Sequence, residues 1–169
     1  CADPAAENAV TALYEKSAEL LGTDYMDFYW IHNPMDAPKW VKELIPLAKS
    51  GKIGKIGLSN HSLAEIKEAA DILAGEGLKI SAIQNHYSLL NRSSETSGIL
   101  DYCKENGIIF FSYMVLEQGA LTGKYDTEHP FPEDSDRGRT YNPMLPKLEK
   151  LNAGLEEIAD RHHVATAQI

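Results

Sequence analysis

The chain has 169 residues, 43% hydrophobic and 24% charged, a balance that suits a globular protein with a sizeable core. Its formal net charge of −9 argues against nucleic acid or an anionic membrane as the main partner, though not against a local basic pocket. No stretch approaches the ~20 apolar residues of a membrane span, and two distant cysteines, Cys1 and Cys103, make neither a disulfide framework nor a zinc site.

Asp3 and Pro4 predict the start of a helix, as N-cap and first helical residue. Val10, Leu13, Tyr14, Ser17, Leu20 and Leu21 form its face, and Gly22 ends it. The run Tyr25 to Ile31 is apolar and aromatic, which predicts a strand buried on both faces. Pro34 stops it and leaves His32 and Asn33 at its tip. A helix follows from about Pro38 to Lys49 on the stripe Trp40, Val41, Leu44, Ile45 and Ala48, with Gly51 after it. The short strand Ile56–Leu58 leads to Ser59, Asn60 and His61. Ser62-Leu63-Ala64-Glu65 is a capping box that opens a helix to about Ala74, with Leu63, Ile66, Ala69, Ala70 and Leu73 inward. The strand Ile80–Ile83 leads to Gln84, Asn85 and His86. A helix over 95–106 should carry Cys103 as a buried, reduced thiol. The strand Ile108–Phe111 then leads to Ser112 and Tyr113. A long irregular stretch, rich in proline and charge, runs from Glu117 to Pro143. A final amphipathic helix shows Leu145, Leu148, Leu151, Leu155, Ile158 and Ala159.

Strands beginning near residues 25, 54, 80 and 108 repeat a βα unit, which implies a parallel sheet with right-handed crossovers. Each strand ends in polar residues, as in an α/β barrel whose site lies at the C-terminal ends of the strands. A doubly wound open sheet is the structural alternative. No Gly-x-Gly-x-x-Gly or P-loop follows any strand. Read together, the tips offer His32, Ser59, Asn60, Gln84 and Tyr113 at one rim. Asparagine, glutamine and serine side chains can both donate to and accept from a carboxamide, and an aromatic offers a flat face. A metal site built on His32, His61 and His86 ranks lower, because no strand tip carries an aspartate or glutamate.

The segments Leu21–Asp27, Ile31-His32-Asn33-Pro34, Gly57-Leu58-Ser59-Asn60, Ile83–Arg92 and Gly119–Tyr125 resemble the aldo-keto reductases, in matching order and spacing along nearly the whole chain. The resemblance implies an α/β fold of the (β/α)8 TIM-barrel type, with residues 1–169 a single partial barrel domain holding about strands four to seven. It implies NADP(H) bound across the rim and reversible hydride transfer between the nicotinamide and a small carbonyl or alcohol substrate. His32 then matches the histidine that orients the substrate carbonyl. Ser59, Asn60 and Gln84 match the residues that hold the nicotinamide carboxamide, and Tyr113 the aromatic under its ring. Met114, Leu116, Gln118, Gly119 and Leu121 fall on the loop passing the pyrophosphate, and Lys124 lies where a basic group meets a phosphate. With Arg137 and Arg139, Lys124 supports an expected preference for NADP(H).

The chain departs from the family pattern in two ways. Met114-Val115 stands where Ser-Pro usually follows the stacking aromatic. The family's catalytic tyrosine, aspartate and lysine lie on earlier strands, and none of the eight tyrosines here sits in the matching context. A full barrel needs about 250 residues, so this chain carries part of an active site. The open edges of a half-barrel invite pairing with another chain. A non-catalytic, cofactor-sensing protein of the same fold and an inactive truncated fragment are the alternatives, with a metal-dependent barrel hydrolase a distant third. No signal peptide pattern opens the sequence, so a cytoplasmic location is expected.

Overall fold

A computed structural model describes residues 6–169. Cys1 and the expected helix start at Asp3 and Pro4 lie outside the described residues. The chain divides into two compact units, Cys1–Tyr87 with Asn91–Tyr113 and Ser88–Leu90 with Met114–Ile169.

The first unit runs α1 (Ala9–Leu21), β1 (Met26–Ile31), α2 (Ala37–Lys49), β2 (Ile53–Ser59), α3 (Leu63–Ala74), β3 (Ile80–His86), α4 (Ser93–Thr96), α5 (Ile99–Glu105) and β4 (Ile109–Tyr113). Its strands form one parallel sheet in the order β1-β2-β3-β4, as the βα spacing predicts. One core lies between the helices and the outer face of this sheet. Ile31, Ile56, Leu58 and Ile83 supply the strand side, with Val41, Leu44, Ile66, Leu73 and Ile99 from the helices. Cys103 belongs to the same core, and burial pushes its thiol up to about 11, which keeps it protonated and unreactive.

Local chemistry sets the helix ends. Gly22 adopts φ 65° after α1, and the amides of Gly22 and Thr23 return to Glu19 O and Ala18 O. The capping box of α3 forms as expected: Ser62 Oγ accepts from Glu65 N at 3.4 Å, and the Glu65 carboxylate accepts from Ser62 N at 2.7 Å. The start of α1 is different. Asn8 sits in the left-handed region without capping it, and the Val10 amide donates instead to the Glu43 carboxylate of α2 at 3.0 Å. Of the expected α1 face, Val10 and Tyr14 are buried, whereas Leu13, Leu20 and Leu21 stay exposed.

β1 is not buried on both faces. It is an edge strand, and only Ile31 in it is fully buried. By alternation Phe28 and Trp30 point to the inner face, away from the helices. There Trp30 stacks on Phe28 at 5.7 Å and meets Phe111 of β4 edge-on at 5.6 Å. Gly57 of β2 makes that reach across the sheet fit, since a Cβ there would fall 2.3 Å from Trp30 Cε3. β2 and β3 are longer than their apolar runs. Ile53 pairs with Met26 and Lys55 with Phe28, while Gln84, Asn85 and His86 pair with Phe111, Ser112 and Tyr113. The helix expected over 95–106 breaks into α4 and α5 at Gly98, which adopts φ 81°.

The second unit holds α6 (Asp136–Tyr141) and α7 (Leu145–His162) around a core of Ala120, Leu121, Phe131, Tyr141, Leu145 and Leu148. α6 lies inside the stretch expected to be irregular. Ser135 caps it, its Oγ accepting from Gly138 N at 2.9 Å. Glu117 is 4% exposed, so its carboxylate needs partners. It accepts from the Tyr141 hydroxyl at 2.8 Å and from the Ser88 hydroxyl. Burial first, and then the bond to Glu117, pushes Tyr141 up to about 12.

Two outcomes are expected. Gly57→Ala should lower stability by about 1–3 kcal/mol, because the indole must lift from the sheet. An unchanged urea midpoint and an unchanged Trp emission would contradict the packing described. Tyr141 favours its neutral form in the fold, so its contribution is full below pH ~10, the ordinary tyrosine value. It is lost as pH rises towards about 12. Thermal melts of the wild type should therefore fall more steeply over that range than those of Tyr141→Phe, and parallel curves would remove the effect.

Candidate functional site

The C-terminal ends of the four strands place most of the candidate side chains. Ser59 ends β2, Gln84 lies near the end of β3, and Tyr113 ends β4. Ser59 pairs with Gln84 and Gln84 with Phe111 in the ladder. Neighbouring strands stand ~4.8 Å apart, so these groups share a short arc of rim.

Asn60 connects that arc. It adopts φ 66°, a left-handed conformation that asparagine tolerates better than most residues. There its amide N donates to Gln84 O at 3.0 Å. Its Nδ2 donates to His32 O at 2.9 Å and to Ser59 Oγ at 3.3 Å. Its Oδ1 accepts from the Tyr113 hydroxyl at 2.6 Å. One side chain thus spans from the end of β1 to the end of β4. Ser59 Oγ donates to Gln84 O at 2.9 Å, with Gln84 Oε1 at 3.2 Å. The two Nδ2 hydrogens of Asn60 are therefore used on the protein itself. Toward a ligand, what remains is its second Oδ1 lone pair, one lone pair of Ser59 Oγ and the Gln84 amide.

The polar residues within one strand tip do not act as a uniform set. Gln84 and His86 alternate with Asn85, which is buried. Asn85 Nδ2 donates to His61 O at 2.8 Å. His61 is 1% exposed and its Nδ1 lies 2.8 Å from Ser59 O. A carbonyl only accepts, so Nδ1 carries the hydrogen. Desolvation holds His61 below the usual imidazole range and favours the neutral ring. His61 therefore braces the turn between β2 and α3. His86 instead stacks on Tyr113 at 5.5 Å and 21°. Among the described residues no group of three His, Cys, Asp or Glu gathers for a metal.

The His32 carbonyl is tied into the network, and the residue is exposed, at one end of a cavity of about 230 Å³ lined also by Val10, Leu13, Tyr29, Trp40 and Leu44 of α1, β1 and α2. A second cavity of about 340 Å³ is lined by Asn60, His61, Asn85, His86, Ser94 and Tyr113 among others.

The remaining candidates lie in the second unit. Met114, Glu117, Gln118 and Gly119 all have positive φ, at 57°, 46°, 53° and 106°. The amides of Gly119 and Leu121 donate to Leu116 O, at 2.9 and 3.3 Å, so the segment is a self-bonded tight loop. The buried Glu117 anchors it, a role with no motif to announce it. Lys124 lies over the Tyr125 ring at 5.4 Å, Arg137 over Phe131 at 5.7 Å, and Arg139 pairs with Asp136.

A sequence model of the family described as "Aldo/keto reductase family" matches residues 3–169. The chain is 32% identical over 160 residues to "Aldo-keto reductase yakc [NADP(+)]" of Schizosaccharomyces pombe, a match that covers 89% of this chain and 44% of the relative. It is 38% identical over 113 residues to "NADH-specific methylglyoxal reductase" of Escherichia coli, covering 63% of this chain and 33% of the relative. Among solved structures, the glycerol dehydrogenase AKR11B4 from Gluconobacter oxydans superposes with a TM-score of 0.81 at 23% identity, over 94% of this chain and 48% of that one. The chain thus spans less than half the length of each of these proteins. The superposition identifies its strands and helices as about half of a TIM barrel. No helix among the described residues is long and apolar enough to cross a membrane.

Proposed function

Since this chain belongs to the aldo/keto reductase family, we propose that the whole protein is an NADP(H)-dependent oxidoreductase that interconverts small aldehydes or ketones with their alcohols. Residues 1–169 would be part of one barrel domain and carry most of the nicotinamide pocket. The observation that supports this reading most is the Asn60 network, which joins the end of β1 to the end of β4 and leaves donors and acceptors around Tyr113.

The groups present fit a nicotinamide. A carboxamide needs one acceptor for its N–H and one donor for its oxygen. Gln84 offers both, and Asn60 Oδ1 and a remaining lone pair of Ser59 Oγ add acceptors. Tyr113, with its hydroxyl already fixed, presents a ring face at a set tilt. NADP(H), when bound, supplies or receives the hydride. His32, exposed at the end of β1, would then orient the substrate carbonyl by a hydrogen bond. The proton donor is not assigned to this chain. Met114, Leu116, Gln118, Gly119 and Leu121 would shape the path of the pyrophosphate, and Lys124 would pair with a phosphate. The names of two relatives specify different cofactors, NADP(+) and NADH. Membership alone therefore does not fix the preference, and the basic groups Lys124, Arg137 and Arg139 carry the proposal for NADP(H).

Fluorescence titration of the full-length protein tests the reading. NADPH should bind more tightly than NADH, and equal affinities would count against the phosphate assignment. Tyr113→Ala should weaken NADPH by about 1–3 kcal/mol, the worth of a base on an aromatic ring. No change would remove Tyr113 from the pocket. His32→Ala should lower kcat and leave the NADPH Kd nearly unchanged. Unaltered turnover would take His32 out of the catalytic set.

A further inference from the structure

Tyr113 crosses the rim rather than standing at its own strand. It ends β4, yet its hydroxyl reaches Asn60, which follows β2. The strand it crosses is β3, and the last residue of β3 is His86, the ladder partner of Tyr113. The imidazole lies against the phenol ring, nearly parallel at 21°, with centroids 5.5 Å apart. Among the described residues it is the one ring found against Tyr113.

His86 is itself held. Asn91 Nδ2 lies 2.9 Å from His86 Nδ1. The orientation of that amide follows from its other end, where Asn91 Oδ1 accepts from Ser93 N at 3.2 Å and from Ser93 Oγ at 2.7 Å. The donor end of the amide therefore faces the imidazole, and Nδ1 must present its lone pair. His86 Nδ1 is in consequence the acceptor of this bond, which holds the ring in a plane set by the turn at the start of α4.

We propose that His86 is a positioning residue for the nicotinamide pocket: it backs one face of Tyr113, so that the opposite face is offered to the nicotinamide ring at a fixed tilt. The inference rests on the reading of Tyr113 as the stacking aromatic. Two constraints define that ring, the Asn60 contact at its hydroxyl and the His86 contact on its face. Without His86 the phenol keeps its hydroxyl anchor but can pivot about it, and the ring must then be ordered as cofactor binds. The chain Ser93, Asn91, His86, Tyr113 and Asn60 would carry that order across three strand ends. Aromatic pairs of this geometry are worth about 0.5–1.5 kcal/mol, or about 2- to 13-fold in affinity.

The test uses the full-length protein with two ligands, NADPH and the same nucleotide without its nicotinamide, 2′-phospho-ADP-ribose. Kd values are measured for wild type, Tyr113→Ala, His86→Ala and His86→Phe. His86→Ala should weaken NADPH about 2- to 13-fold and leave 2′-phospho-ADP-ribose unchanged. His86→Phe, which restores a flat ring, should return NADPH to within about twofold of wild type. An NADPH Kd in His86→Ala equal to wild type, while Tyr113→Ala binds weakly, overturns the role of His86 and leaves the stacking reading intact. Equal loss for both ligands in His86→Ala marks a general structural defect and also overturns it. An unaffected Tyr113→Ala overturns the stacking reading and the inference together.

Discussion

The rim of this sheet depends on the side-chain amide of Asn60. A residue in the left-handed region after β2 turns that amide along the strand ends rather than outward. Its Nδ2 and Oδ1 then join a carbonyl at the end of β1 to a hydroxyl at the end of β4. Parallel strands have no hairpin to tie their ends, so their register at the rim rests on such bonds. An aspartate could not replace it, because a carboxylate has no N–H for His32 O. The bond from Tyr113 also fixes the hydroxyl end of that ring.

Below the rim, the inner face follows a second constraint, the missing side chain at Gly57. Trp30 lies over that glycine and meets Phe28 and Phe111. Lys55 adds its ammonium over the Phe28 ring at 5.1 Å. The layer is aromatic rather than branched aliphatic, and it stands directly beneath Ser59 and Gln84 in the alternation of the strands. The polar tips therefore sit on an apolar floor.

Much of this was legible in the chain. Alternating strands and helices, the Ser62–Glu65 capping box and the glycine stop after α1 follow from local chemistry, and each stands in the structure. The rim residues were legible as a group because polar residues closed four apolar runs in succession. Less visible was what depends on pairing. β2 and β3 extend through Gly54, Lys55, Asn85 and His86, which have little intrinsic strand preference, because neighbouring strands bond them. The short α6 is set by the Ser135 cap, and the prolines and charges around it concealed it. Single residues were the hardest to read. His61, Asn85 and His86 are equivalent as letters in a strand tip, yet one braces a turn, one is buried beneath it and one lies on Tyr113. Glu117 reads as a loop acid, and only its burial against Ser88 and Tyr141 shows it to be an anchor.

The central claim is that the Asn60 network shapes a nicotinamide pocket before any cofactor arrives. A crystal structure of the full-length protein with NADPH bound tests it most directly. The nicotinamide ring should lie on Tyr113, with its carboxamide within hydrogen-bonding distance of Ser59 Oγ and the Gln84 amide. Asn60 should keep its bonds to His32 O and the Tyr113 hydroxyl. A nicotinamide seated away from Tyr113, or an Asn60 side chain turned out of both bonds, would contradict it.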